Sequence, residues 1–320
     1  MPWMAKTICR SNALPDPELI AQAAVLIREG KLVAFPTETV YGLGANALDA
    51  RAVEKIFHVK GRPSSSPLIV HVASAEAARR LVTAWPDAAD ALARKFWPGP
   101  LTLVLPKHPS IPDIVTAGLS TVGLRVPSNP FALALLTEAG VPVAAPSANR
   151  FTELSPTTAE HVRKSLGAAV DFILDGGPAE VGIESTVLSL AGPQPVLLRP
   201  GMISSVEIEA LVGPILAGNA AAAGPHESPG LHPKHYSPRT PLALEIPSQG
   251  RGAYLWITRP GAATANVQMP SDPAHYAAVF YDTLHRLDEE GLDWIAVETP
   301  PDTPEWAGIN DRLRRAARRE

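Results

Sequence analysis

Three observations in the sequence predict an α/β protein built in two parts. Apolar, β-rich runs alternate with amphipathic helical stretches along most of the 320 residues. The alternation breaks once, in a small-residue stretch from Leu216 to Pro225, and then resumes. Several strand-like runs stop at a proline or carry polar residues at one end, where open α/β sheets gather ligands. The expected divisions are a large domain over 1–212, a linker over 213–240 and a smaller α/β domain over 241–320.

Asp16-Pro17, then Leu19, Ile20, Ala23, Ala24 and Ile27, then Gly30, read as a capped helix leading into the strand Leu32 to Phe35. Pro36 ends that strand, and the polar residues Thr37, Glu38, Thr39 and Tyr41 follow, before Gly42 and Gly44. Those glycines are expected to form a turn or to let a ligand come close. A helix from Asp49 to about His58 precedes Lys60-Gly61-Arg62-Pro63-Ser64-Ser65-Ser66-Pro67, a loop that leads to the strand Leu68 to Val72. Cations and hydroxyls together suit a polyanion. Gly, Pro, Ser and Lys are also ordinary turn residues, so this segment alone does not decide between a binding loop and a solvated one.

Helix and strand continue through Ser74 to Thr83, Ala88 to Phe96, Leu101 to Leu105, Val122 to Val126, Phe131 to Ala139 and Val141 to Pro146. A helix near Thr158 to Leu166 comes next, then strands at Phe172 to Leu174, Thr186 to Leu190 and Val196 to Leu198. The late strands have no helices between them, so mixed strand directions are expected. Polar clusters mark the strand ends: Thr121 and Arg125, Ser147-Ala148-Asn149, Ser155-Pro156-Thr157, Glu184-Ser185-Thr186, and Arg199. Each taken singly is as well explained by a cap or a surface pair; the combination points to one crevice.

A helix from Ser204 to about Val212 closes at Gly213-Pro214. Beyond the small residues, Ser228 to Pro238 sets prolines around Lys234, His235 and Tyr236, the composition of a stiffened lid. Strands at Leu242 to Ile246, Ala253 to Ile257 and Trp294 to Val297, with helices around Tyr276 to Leu287 and from about Glu305, make up the second domain. Arg312, Arg314, Arg315, Arg318 and Arg319 read as a solvated, basic helix face.

A composition of 46% hydrophobic and 19% charged residues is that of a globular protein. No apolar run reaches the ~18 residues of a membrane span. No hydrophobic leader follows Met1, and Cys9 is the single cysteine, so a reducing, cytoplasmic setting is expected and a cysteine-rich zinc site is not. The net charge of −4 argues against a general nucleic-acid binder. Gly42-Leu43-Gly44-Ala45-Asn46-Ala47 matches a loose dinucleotide pattern but lacks the acidic residue expected ~20 positions later. There is no Walker A run, and His232 with His235 lacks a third ligand, so no metal site is assigned.

Pro36-Thr37-Glu38-Thr39-Val40-Tyr41-Gly42-Leu43, Lys60-Gly61-Arg62-Pro63, Leu124-Arg125-Val126-Pro127 and Ala145-Pro146-Ser147-Ala148-Asn149 together resemble the YrdC-like threonylcarbamoyl-AMP synthase family. Ser228-Pro229-Gly230, His235-Tyr236-Ser237-Pro238 and Asn310-Asp311-Arg312-Leu313 resemble its two-domain branch. Pro304-Glu305-Trp306 departs from a glycine-rich approach to the last helix. The resemblance implies a twisted mixed sheet with flanking helices, plus a smaller Rossmann-like C-terminal domain. It also implies a nucleotidyltransferase that makes threonylcarbamoyl-AMP and pyrophosphate from L-threonine, bicarbonate and ATP, with magnesium. The product would pass to a downstream transferase that modifies tRNA adenosine beside the anticodon, and direct tRNA contact would be weak.

By the same resemblance Lys60, Arg62, Ser147 and Asn149 form the catalytic set. Thr39, His71, Arg125, Ala145 (through its backbone) and Ser185 would take threonine, with Arg125 on its carboxylate. Arg62, Ser66, Thr121, Ser147, Ser155, Arg199, His235 and Tyr236 would take ATP. No carboxylate is committed as base. The rival readings are an RNA-binding module, against which the net acidity counts, and a carbamoyltransferase of the kind that carries cysteine-rich zinc modules.

Overall fold

The computed structural model describes residues 6–8, 14–218 and 235–317. Cys9, most of the expected linker with His232 and Lys234, and Arg318 and Arg319 lie outside the described residues. The first part runs β1 (Lys6–Ile8), α1 (Pro17–Arg28), β2 (Val33–Phe35), β3 (Gly42–Asn46), α2 (Ala50–Lys60), β4 (Ile69–His71), α3 (Ala75–Arg79), α4 (Asp87–Phe96) and β5 (Leu101–Pro106). It continues with α5 (Asp113–Thr116), β6 (Thr121–Arg125), α6 (Pro130–Ala139), β7 (Val143–Ala144), α7 (Ala159–Leu166), β8 (Phe172–Leu174), β9 (Thr186–Ser189), β10 (Val196–Arg199), α8 (Ser205–Val212) and β11 (Leu216–Ala217).

The helix limits follow from capping. Asp16 Oδ1 accepts the Glu18 amide at 2.9 Å, and Asp49 Oδ1 accepts those of Arg51 and Ala52 at 2.9 and 3.3 Å. Gly61 ends α2 with φ of 62°, a left-handed conformation that costs glycine little. The sheet order is β1-β8-β2-β3-β7-β4-β6-β5-β9-β10-β11, with parallel and antiparallel pairs mixed as expected. Helices α1 and α6 cover one face through Leu19, Ile27, Phe131 and Leu135, and the other face is packed by Val53 and Ile56 of α2, Leu92 of α4 and Val162 of α7. Each such large side chain taken from water contributes about 1.5–3 kcal/mol.

The second part is β12 (Leu242–Ala243), β13 (Gly252–Trp256), β14 (Ala265–Gln268), α9 (Pro273–Asp288), β15 (Trp294–Val297) and α10 (Ala307–Ala316). Its sheet, β12-β15-β13-β14, is parallel throughout. Trp306, at the departure from the family pattern, is buried among Tyr276, Ile309 and Leu313. Val40, Leu154 and Ile183 of the first part and Tyr236 share this core with Phe280, Tyr281 and Leu284 of α9. The approach is close enough that a Cβ on Gly182 would lie 2.1 Å from the Ala277 carbonyl oxygen, and one on Gly308 would lie 2.8 Å from that of Gly201.

Four local expectations are corrected. Gly42 and Gly44 form strand β3 rather than a turn, because a side chain at Gly44 would meet Phe35 and Val143 at 2.8 Å. Lys60 is the last residue of α2 and is buried, since the helix runs two residues beyond His58. Leu216 and Ala217, of linker-like composition, pair with Val196 and Leu197 as an edge strand of the large sheet. Arg312 is no part of a solvated face: it is wholly buried between the two parts.

Candidate active site

Strands β4 and β6 are parallel neighbours, and their last residues, His71 and Arg125, lie opposite each other. β9 enters and β10 leaves at the same end of the sheet, bringing Ser185 against Arg199. A cavity enclosing about 50 Å³ opens there. Ten expected residues line it: Thr39, Arg62, His71, Arg125, Ala145, Ser147, Ser185, Arg199, His235 and Tyr236.

Arg125 is fixed on several sides. Its Nη1 donates to Thr39 Oγ1 at 2.9 Å and its Nε to the Gly99 carbonyl at 3.3 Å, while Nη2 pairs with Glu38 Oε1 at 2.8 Å. Glu38 is itself held by the Ser128 amide at 3.0 Å, so the guanidinium is a rigid fork in the wall. His71 stands edge-on to Phe35, and burial, then Arg125, push its imidazole down to about 3. It is neutral at pH 7. Its buried Nδ1 meets no hydrogen-bonding group among the described residues. Ser185 Oγ lies 2.8 Å from Thr102 Oγ1 and accepts Arg199 Nη2 at 3.1 Å, and Arg199 Nε donates to the Ser185 carbonyl at 3.1 Å.

Arg62 projects from just beyond α2. Its Nη2 donates to the Pro67 carbonyl at 3.1 Å, its Cζ lies 5.8 Å from the Phe151 ring centre, and its buried Nε has no hydrogen-bond partner among the described residues. Burial lowers this guanidinium to about 10, which leaves it charged at pH 7. Burial likewise pushes Arg199 below its ordinary value. A buried cation with an unspent donor gains most from an anion that enters the cavity.

The other expected residues sit outside the lining. Lys60 Nζ donates to the Ser147 carbonyl at 2.5 Å and to the Asn149 carbonyl, with Asn149 Oδ1 at 3.4 Å. Burial, then Arg62, push its amine well down, while three oxygens around Nζ favour the ammonium; the all-acceptor shell fits the charged form. Asn149 Nδ2 donates to the carbonyls of Arg150 and Glu153. Lys60 therefore holds the Ser147 carbonyl from one layer behind, and Asn149 in turn holds Lys60. Ser155 is buried and donates to Glu184 Oε1 at 2.5 Å. Thr121 lines a separate small recess with Pro67, Thr102 and Thr116, and Ser66 is half-buried on the loop after Arg62.

Sequence reasoning left several contributors without a role. Thr37, Gly42, Pro146 and Glu184 also line the cavity. Glu38 and Glu184 belong to polar clusters noted at strand ends, but neither cluster revealed its pairing. Tyr236 closes one side with φ of 60°, a left-handed conformation that a bulky residue adopts only when its surroundings impose it. Those surroundings are the His235 ring at 4.1 Å, the Tyr281 ring at 6.1 Å and Arg312 Cζ at 5.4 Å.

Fold and site define a two-part α/β protein with buried cations and hydroxyls facing one cavity at its strand ends. The family model described as "Telomere recombination", covering Sua5, YciO and YrdC proteins, matches residues 25–201. A second, "Threonylcarbamoyl-AMP synthase, C-terminal domain", matches residues 203–318. A threonylcarbamoyl-AMP synthase of Bacillus subtilis is 45% identical, with 94% of this chain and 93% of the relative covered. One of Pyrococcus abyssi is 40% identical, with 92% and 93% covered. The crystal structure of P. abyssi Sua5 complexed with L-threonine superposes with a TM-score of 0.92 at 38% identity, covering 98% of this chain and 97% of that one. The chain belongs to the threonylcarbamoyl-AMP synthase family, in its two-domain Sua5 form.

Proposed function

We propose that the chain forms threonylcarbamoyl-AMP and pyrophosphate from L-threonine, bicarbonate and ATP in the cavity at the strand ends. The observation that carries this reading is the convergence of three buried guanidinium groups, Arg62, Arg125 and Arg199, with the hydroxyl residues Thr39, Ser147 and Ser185 on one void. Arg125 would pair with the threonine carboxylate, beside Thr39, His71, Ala145 and Ser185. Arg62 and Arg199 would hold the triphosphate with Ser147, His235 and Tyr236.

The threonine nitrogen adds to the bicarbonate carbon, water leaves, and a carbamate forms. A carbamate oxygen then attacks the α-phosphorus, and the bond to the pyrophosphate oxygen breaks. Negative charge gathers on the phosphate oxygens, and preorganised cations that need no reorientation lower that barrier. Neither wall carboxylate suits the role of base: Glu38 is spent on Arg125 and Ser128, and Glu184 on Ser155, Tyr281 and Arg312. The amine proton would pass to bicarbonate or water. The same engagement leaves no open carboxylate pair to keep a resident metal, so magnesium would arrive on the phosphates of ATP and neutralise their charge.

The void of about 50 Å³ is well below the roughly 300–1,000 Å³ of ligand pockets. Admitting ATP would therefore require the wall at His235 and Tyr236, which lies outside the helices and strands, to shift against the contacts that hold it. The product would pass to a tRNA-modifying transferase in the cytoplasm, a reading supported by the resemblance of the chain to threonylcarbamoyl-AMP synthases. Direct tRNA contact would be weak, because Arg315 pairs with Asp311 and Arg314 with Asp302 on the basic helix. Among the described residues no helix is long and apolar enough to cross a membrane.

The test supplies labelled threonine and labelled bicarbonate with ATP and reads the product by mass spectrometry. A doubly labelled adenylate is expected; ATP consumed without either label in an adenylate would overturn the reading.

A further inference from the structure

A carboxylate in the wall of a site for a polyanion needs an explanation, because like charges at short range oppose binding. Glu184 is such a group: it lines the cavity and lies next to Ser185. Its Oε1 accepts Ser155 Oγ, and its Oε2 accepts Arg312 Nε at 2.9 Å and Tyr281 Oη at 3.2 Å. Tyr281 and Arg312 come from α9 and α10, on the far side of the shared core.

Arg312 is wholly buried and does not line the cavity. Besides the Glu184 carboxylate it takes the Glu184 carbonyl through Nη2 at 3.1 Å and the Pro200 carbonyl through Nη1 at 2.5 Å. Its Cζ lies 5.4 Å from the Tyr236 ring centre. One guanidinium therefore gathers the entry to β9, the exit of β10 beside Arg199, and the residue that closes the cavity.

We propose that Arg312 is a positioning residue for the nucleotide: by pairing with Glu184 from behind the wall, it removes a repulsive charge from the ATP subsite and fixes that wall. The second part of the chain thus completes the site without touching substrate. This rests on the reading that the cavity takes ATP. The geometry also explains why a helix end rich in arginine keeps one of them dry, since a buried ion pair persists only when its remaining donors are also satisfied.

The test compares wild type, Arg312→Met, Glu184→Gln and the double variant in the full chain, reading KM for ATP, KM for threonine, kcat and the melting temperature. Arg312→Met should raise KM for ATP about tenfold or more, because it leaves the carboxylate charge of Glu184 facing the phosphates without its cation, with only the Ser155 and Tyr281 hydroxyls still donating to it. Adding Glu184→Gln should return it to within about threefold of wild type, since the repulsive charge is gone. A merely structural Arg312 would give a double variant as impaired as Arg312→Met, and that result, or an unchanged KM for ATP in Arg312→Met, overturns the proposal. If Arg312→Met does not fold, Arg312→Lys carries the test. It keeps the charge and loses the fork, so KM for ATP should rise no more than about threefold while the melting temperature falls, and a rise of tenfold or more overturns the proposal. Wild type that makes no adenylate overturns the functional reading itself, separately from the role of Arg312.

Discussion

At the carboxyl ends of β13 and β15 in the small parallel sheet, Glu298 accepts hydrogen bonds from the Ile257 and Thr258 amides at 2.7 and 3.1 Å. Thr258 Oγ1 adds a third at 2.5 Å. Strand ends of α/β sheets are where anions bind, and here the protein's own carboxylate takes the amides that an anion would take. At the corresponding ends of the large sheet, Arg62, Arg125 and Arg199 face a void instead. Sheet architecture alone therefore does not locate chemistry; the side chains at the strand ends decide whether a crevice is spent on the fold or left for a ligand.

This contrast breaks most readily at Arg62. Replacement by Ala should cut adenylate formation by about 100-fold or more, with the melting temperature nearly unchanged, because a preorganised phosphate contact is lost from a cavity that is already hollow. Near-normal turnover would mean that the void of the large sheet is as idle as the strand ends of the small one. An intermediate effect is expected at the seam between the two parts. The rings of His161 and His285 stack there at 3.8 Å, and His285 Nε2 lies 3.1 Å from the Ser155 carbonyl.

Burial, then His285 and Lys164, lower His161 to about 3, and burial lowers His285 from 6.5. The Ser155 carbonyl, then Asp288 and Asp282 of α9 and Glu289 just beyond it, pull His285 the other way, but they are the weaker influence. A depressed histidine stabilises the fold fully above its unfolded value, and that contribution is lost as pH falls from 6.5 towards about 3. His161→Gln should therefore flatten the decline in melting temperature between about pH 6.5 and pH 4. An unchanged slope would remove the pair from the account. The smallest effect is expected at Glu298→Ala, which should lower the melting temperature by a few degrees, about 1 kcal/mol, and leave kcat and KM alone. A change in KM for ATP would give the small sheet a nucleotide role that the engagement of its amides by Glu298 argues against.

Part of the cavity wall is legible in the sequence because polar residues cluster at strand ends: the pattern sets Thr39, Arg125, Ser185 and Arg199 in clusters that point to one crevice, while their individual roles rest on the resemblance. The pattern ends the second helix near His58 and leaves Lys60 on the loop, whereas Gly61 is the cap that lets α2 run on to Lys60. Ser155 resembles a helix cap and proves to be a partner of Glu184, a contact that no local pattern predicts. The widest miss was Arg312. Its partner lies 128 residues away, and a run of arginines at a helix end carries the signature of a wet surface. Pairings across such distances are set by the packing of whole elements, which single-sequence periodicity does not encode.

The core that joins the two parts carries a further meaning. Val40, Leu154 and Ile183 lie beneath the helices of the smaller sheet, so removing that sheet would leave an apolar scar beside the cavity at the strand ends rather than a clean edge. A shorter descendant of this chain would need polar residues at those three places before it could stand alone, so the smaller sheet is a welded component and not a detachable module.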